Sequence, residues 1–151
     1  MKKAILLLFI TIAVLSGCTA EQSNTAIAPK ADGIVIALLD TGISTAAINE
    51  SRVLPGYNYV ESSFDTQDRI NHGTAAASVI AGSVPAGING LAENAYLVPL
   101  VVRTKTENGD QKSIPAEALA QVIIDCVDKY GVDIINISLG IKKDLEAVRK
   151  A

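Results

Sequence analysis

The stretch Val35-Ile36-Ala37-Leu38-Leu39-Asp40-Thr41-Gly42 restricts what this chain can fold into more than any other. Five apolar residues in a row, closed by a turn signal, suit a strand buried on both faces of a sheet. Such strands belong to parallel α/β sheets with helices above and below. Asp40 then stands where the strand ends. In open α/β sheets that edge is where ligands and reacting groups gather. A half-desolvated carboxylate there needs a partner. One candidate stands out: His72, the only histidine among the 151 residues.

The remaining pattern agrees with an α/β class. Residues 34–39 and 96–102 read as buried strands, and residues 133–138 as a third. Pro99 has no N–H to give, which marks its strand as irregular or as a sheet edge. Residues 53–60 carry Pro55-Gly56 and then an extended segment. The spacing predicts a helix over 72–82, with Ala75, Val79 and Ile80 on one face. A second is predicted up to Tyr130, with Ser113 as N-cap and Pro115 in its first turn. Leu119, Val122, Ile123, Cys126 and Val127 form its apolar stripe, and Gly131 ends it. Asp144 caps a last helix that carries Leu145 and Val148 on one face. Residues 44–51 are polar with one helical turn; 61–71 form a charged loop and 104–112 a polar one. Strands alternating with helices give a parallel sheet with right-handed crossovers and helices on both faces. The strand ends at Asp40, near Arg103 and at Ser138 then share one edge.

The length suits one domain. With 13 basic and 16 acidic side chains, no basic patch points to nucleic acid as a partner. Two cysteines make no disulfide framework. Cys126, on an apolar helical stripe, reads as a core thiol.

Three motifs together carry a resemblance. A strand ends in Asp40-Thr41-Gly42. His72-Gly73-Thr74 follows 32 residues after Asp40, with Ala and Ser downstream. A late strand ends in Ser138-Leu139-Gly140. Over about residues 33 to 151 the chain resembles the subtilisin-like serine proteases, or subtilases. The resemblance implies a three-layer α/β fold and an Asp-His-Ser triad. In it Asp40 orients the imidazole and His72 is the base, while Ser138, Leu139 and Gly140 bind the substrate main chain. The family's nucleophile segment, Gly-Thr-Ser-x-Ala, does not occur in these residues. The expectation is therefore the N-terminal part of a subtilase catalytic domain, incomplete and truncated before the serine. Alone it should be inactive, and a separate C-terminal half would carry the nucleophile. Protein or peptide substrates are implied, and no cofactor is required. Many subtilases bind structural calcium. The spacing of Asp65, Asp68, Asp125, Asp128 and Asp133 matches no calcium loop, so no metal ligand is assigned and these read as solvated surface. Asn136 reads as structural, and nothing places Ser138 against a base.

Leu38 to Ser44 also resembles the active-site strand of retroviral-type aspartic proteases, short chains that dimerise to pair two carboxylates. That alternative leaves the His72 stretch unexplained and calls for many more β-strands. A second alternative is a non-catalytic envelope lipoprotein that binds peptides.

Residues 1–17 read as a signal peptide: Lys2 and Lys3 form a basic region, and Ala4 to Leu15 an apolar one too short to span a bilayer comfortably. Leu15-Ser16-Gly17-Cys18 resembles the lipobox of bacterial lipoproteins. This implies cleavage before Cys18 and lipidation of its thiol, with two or three acyl chains for stable anchoring. Residues 18–32 are polar and rich in Ala, Ser and Thr, and read as a lipidated flexible tether. The expected location is the bacterial cell envelope. There the lipid anchor sits on the outer side of the cytoplasmic membrane, or on the outer membrane if the source is Gram-negative.

Overall fold

In the computed structural model, residues 33–140, 144 and 146–151 are described. The segments expected to be signal peptide and tether, Cys18 included, and Leu145 of the expected last helix lie outside them. Strand β1 (Val35–Asp40) is buried along its whole length. It pairs in parallel with β3 (Tyr96–Val101) on one side and with β6 (Ile134–Ile137) on the other. The short β2 (Tyr57–Asn58) joins the far side of β3, also in parallel, giving the order β2-β3-β1-β6. Helix α1 (His72–Ala81) leads into β3, α2 (Ala118–Asp128) leads into β6, and α3 (Glu146–Lys150) follows.

The period-two alternation of β1 divides the core. Val35, Ala37 and Leu39 face a layer built on Leu119, Val122 and Cys126 of α2. Ile36 and Leu38 face the other way, onto Ile43 and Ile48 from the segment after β1 and onto Ala77 of α1. A sheet covered by helices on both faces is the expected three-layer arrangement. Burying a leucine such as Leu38 or Leu39 fully contributes about 1.5–3 kcal/mol each, so β1 is the anchor of both layers.

Five local expectations differ from the structure. Pro99 is neither an edge residue nor a break, because β3 lies between β2 and β1. The carbonyls of Leu97 and Val101 accept from Leu54 and Tyr59, so this set of β3 residues, Pro99 included, faces β2 rather than β1. There the neighbouring chain runs through Pro55-Gly56 and offers no continuous ladder. A Cβ on Gly56 would lie 1.9 Å from the Pro99 carbonyl oxygen, so only glycine fits beside the proline.

Helix α1 buries Gly73, Thr74, Ala77 and Ser78, whereas Ala75 is exposed and Val79 is 54% exposed. A close approach to the end of β1 selects the small face over the apolar one. The hydroxyls on that face are satisfied: Ser78 donates to the Thr74 carbonyl and Thr74 to Asp68.

Ser113 does not cap α2; it ends a strand. Residues 104–112 are not a plain loop, since β4 (Arg103–Lys105) and β5 (Gln111–Ser113) form an antiparallel hairpin. Asn108-Gly109, with Gly109 at φ 90°, turns it, which is a hairpin signal in the sequence. Pro115 then opens a turn, and α2 begins at Ala118. Val127 is 60% exposed, about 100° round the helix from Cys126, and leaves the stripe. Gly131, at φ 56°, ends the helical segment as expected.

Candidate active site

The C-terminal end of β1 delivers Asp40 fully buried to the sheet edge. Its Oδ1 accepts the Thr41 N–H at 2.7 Å and lies 2.7 Å from Nδ1 of His72. A carboxylate only accepts, so Nδ1 carries the proton and Nε2 is left as the basic nitrogen. Asp40 Oδ2 is buried and has no hydrogen-bond partner among the described residues. The His72 side chain is 54% exposed while Asp40 is closed off, so the pair presents its base outward.

His72 reaches that position because the chain turns sharply before it. Asn71 adopts a left-handed conformation, φ 71° and ψ 5°, and makes no side-chain cap on α1. Gly73 then packs onto the β1 turn. A Cβ there would lie 2.3 Å from the Gly42 carbonyl oxygen. The Gly73 N–H donates to the Thr41 hydroxyl at 2.8 Å.

Asp68 is the residue the sequence reading misplaced. It is 6% exposed, not solvated surface. Its Oδ1 accepts the Thr41 hydroxyl and the N–H groups of Ile70 and Asn71, all within 2.8–2.9 Å. Its Oδ2 accepts the Thr74 N–H at 2.8 Å and the Thr74 hydroxyl at 2.6 Å. Asp68 thus supplies the cap that Asn71 does not. Burial pushes its pKa up, but the hydrogen bonds from Thr74, Ile70 and Thr41 together outweigh burial and hold it below the ordinary carboxylate value. An acidic residue four before the histidine was the signal available.

Three of the other carboxylates considered for calcium have separate partners, and Asp128 is exposed. Asp65 pairs with Arg69 at 2.7 Å, as Glu61 does at 2.9 Å. Asp125 accepts from the Tyr59 hydroxyl at 2.7 Å, and Asp133 from the Val35 N–H at 2.8 Å. Among the described residues no three His, Cys, Asp or Glu side chains converge. Burial, then the Asp125 hydrogen bond, raises the Tyr59 pKa. Cys126 is buried, its thiol pushed up to about 12 chiefly by burial and secondarily by Asp125.

Ser138, Leu139 and Gly140 come to the same edge. Ile137 pairs with Leu39, so Ser138 follows one step beyond, as Asp40 does on β1. Ser138 is exposed and its Oγ accepts from Asn136 at 3.0 Å. Leu139 and Gly140 line a cavity of about 550 Å³, with Arg103, Ile114 and Leu119 on its other walls. Gly140 is exposed, and a Cβ there would meet none of the described residues. Neither Asp40 nor His72 lines the cavity, although Val102, whose N–H donates to the Asp40 main-chain carbonyl, does.

A family model described as "Subtilase family" matches residues 31–150, and the chain belongs to that family. It is 36% identical over 111 residues to a thermophilic serine proteinase of Bacillus sp. (strain AK1), covering 72% of this chain and 26% of the relative. It is 34% identical over 109 residues to an alkaline protease of Alkalihalobacillus alcalophilus, covering 72% of this chain and 27% of that one. The chain thus spans about a quarter of the length of these relatives. Among solved structures it superposes on the S41 psychrophilic protease with a TM-score of 0.60 at 27% identity, over 78% of this chain and 40% of that one. On the MycP3 protease from the type VII (ESX-3) secretion system the TM-score is 0.54 at 26% identity, over 77% and 35%.

Proposed function

We propose that these residues form the acid–base side of a serine endopeptidase active site. The observation that carries this is the 2.7 Å contact between a buried Asp40 and an outward-facing His72. Asp40 holds Nδ1–H and fixes the tautomer. Nε2 takes the proton from a serine Oγ as it attacks the substrate carbonyl, and Asp40 stabilises the imidazolium that forms. The same nitrogen then returns the proton to the leaving amine, and the acyl-enzyme is hydrolysed by water. The serine comes from a Gly-Thr-Ser-x-Ala segment outside these residues, on the same chain or on a separate C-terminal half. The peptide lies in extended form along Ser138 to Gly140, main chain to main chain. Cys18, once lipidated, tethers the domain to the cell envelope.

The test joins these residues to a subtilase C-terminal half carrying that segment and follows casein cleavage. The joined protein should hydrolyse casein, and His72→Ala should lower kcat by at least about 10⁴, the scale on which triads fail when a member is lost. Peptide binding without hydrolysis would favour the non-catalytic lipoprotein. Acid-pH activity of the short chain as a dimer, indifferent to His72→Ala, would favour the aspartic protease; the parallel α/β sheet argues against it.

A further inference from the structure

Asp68 touches both pieces of chain that carry the pair. Its acceptors hold Thr41, the neighbour of Asp40, and residues on both sides of His72: Ile70 and Asn71 before it, Thr74 after it. The Thr41 hydroxyl extends the link by accepting from Gly73 while it donates to Asp68. Both carboxylate oxygens are taken up by donors. Their arrangement leaves nowhere for an amide: an NH2 in place of Oδ2 would face the Thr74 N–H, and in place of Oδ1 the N–H groups of Ile70 and Asn71. We infer that Asp68 is a positioning residue, the clamp that holds the His72 ring against Asp40. The functional sense of the clamp rests on the acid–base reading above. Its existence is a matter of geometry and is measured without hydrolysis.

His72 is the only histidine, so ¹⁵N-histidine labelling of the full chain gives one imidazole to follow. In the wild type its Nδ1–H, held by Asp40, should give a proton signal well downfield of the amides. Asp68→Asn should remove that signal while the Val35–Asp40 amides keep their dispersion. Asp65→Asn, in the exposed part of the same loop, should leave it in place. Thr41→Val and Thr74→Val, each removing one hydroxyl from the clamp, should broaden it or move it upfield, and Thr74→Ser should restore it. If Asp68→Asn does not fold, the two valine variants decide. A ring signal unchanged in folded Asp68→Asn, or in both valine variants, would overturn the clamp. A wild type with no downfield signal would overturn the contact it is said to hold. Failure of the joined protein to cleave casein would count against the acid–base reading and leave these signals as they are.

Discussion

His72 Nδ1 and Asp40 Oδ1 lie 2.7 Å apart, yet the Asp40 side chain is fully buried and that of His72 is 54% exposed. The asymmetry divides the work. A closed carboxylate does not exchange its partner for water, and an open ring presents Nε2 to whatever docks at the sheet edge.

The arrangement has a cost that can be measured. Among the described residues Asp40 Oδ2 is buried without a partner, and an incompletely paired buried carboxylate costs stability. At pH 8, Asp40→Asn should raise stability by roughly 0.5–2 kcal/mol, the usual gain when a functional compromise is relieved. Urea denaturation checks this; a lower midpoint than wild type would contradict it.

Asp68 behaves in the opposite way. Asp68→Ala leaves the N–H groups of Ile70, Asn71 and Thr74 without their acceptor, a loss of about 3 kcal/mol or more. The pH dependence has a definite sign. The folded pKa lies below the ordinary value of 3.8, so the stabilisation is fully present above 3.8 and is lost as pH falls through the folded value. Urea midpoints should drop steeply below pH 3.8 in the wild type and less in folded Asp68→Asn.

Gly73→Ala tests the close approach of α1 to the β1 turn. The new methyl would meet the Gly42 carbonyl at 2.3 Å, so the helix start must shift. The expected cost is about 1–3 kcal/mol, with loss of the downfield His72 proton. Gly87→Ala, at a position with open space but φ 64°, should cost stability and leave the ring signal unmoved.

These contrasts separate what the sequence displays from what only the fold reveals. β1, the Asp40–His72 pairing and the sheet edge at Ser138 were legible because a long apolar run and motif spacing are local signals. Asp68 was not, since an aspartate in a charged loop reads as solvated until the loop is seen to close over it. The α1 face was misread because apolar periodicity predicts Val79 inward, whereas backbone proximity selects Gly73 and Ala77. The hairpin was missed because both its strands are polar, with only Thr104 buried. Pro99 misled because its missing N–H matters only if a ladder runs past it, and Gly56 replaces that ladder.

Cys126 should be chemically silent in the folded chain. A thiol pushed up to about 12 is ionised at pH 8 to a fraction of order 10⁻⁴, some 10³ below an ordinary thiol. Iodoacetamide should leave the Cys126 peptide unmodified in buffer and alkylate it in urea, as read by mass spectrometry. Rapid alkylation in buffer would mean that α2 is not packed on β1.

Lipidation is tested at its own residue. Metabolic labelling with a radioactive fatty acid in a bacterial host should mark the wild type and not Cys18→Ala, and equal labelling of both would refute the anchor.

The central claim is that Asp40 and His72 activate a serine that lies outside these residues. A fluorophosphonate probe reports on such a serine directly, because only an activated hydroxyl reacts with it. Residues 1–151 alone should remain unlabelled. Joined to a half carrying Gly-Thr-Ser-x-Ala, the protein should label on that serine, and both His72→Ala and Asp40→Asn should abolish most of the reaction. Labelling of residues 1–151 alone, or labelling of the joined protein undiminished by His72→Ala, would contradict the account.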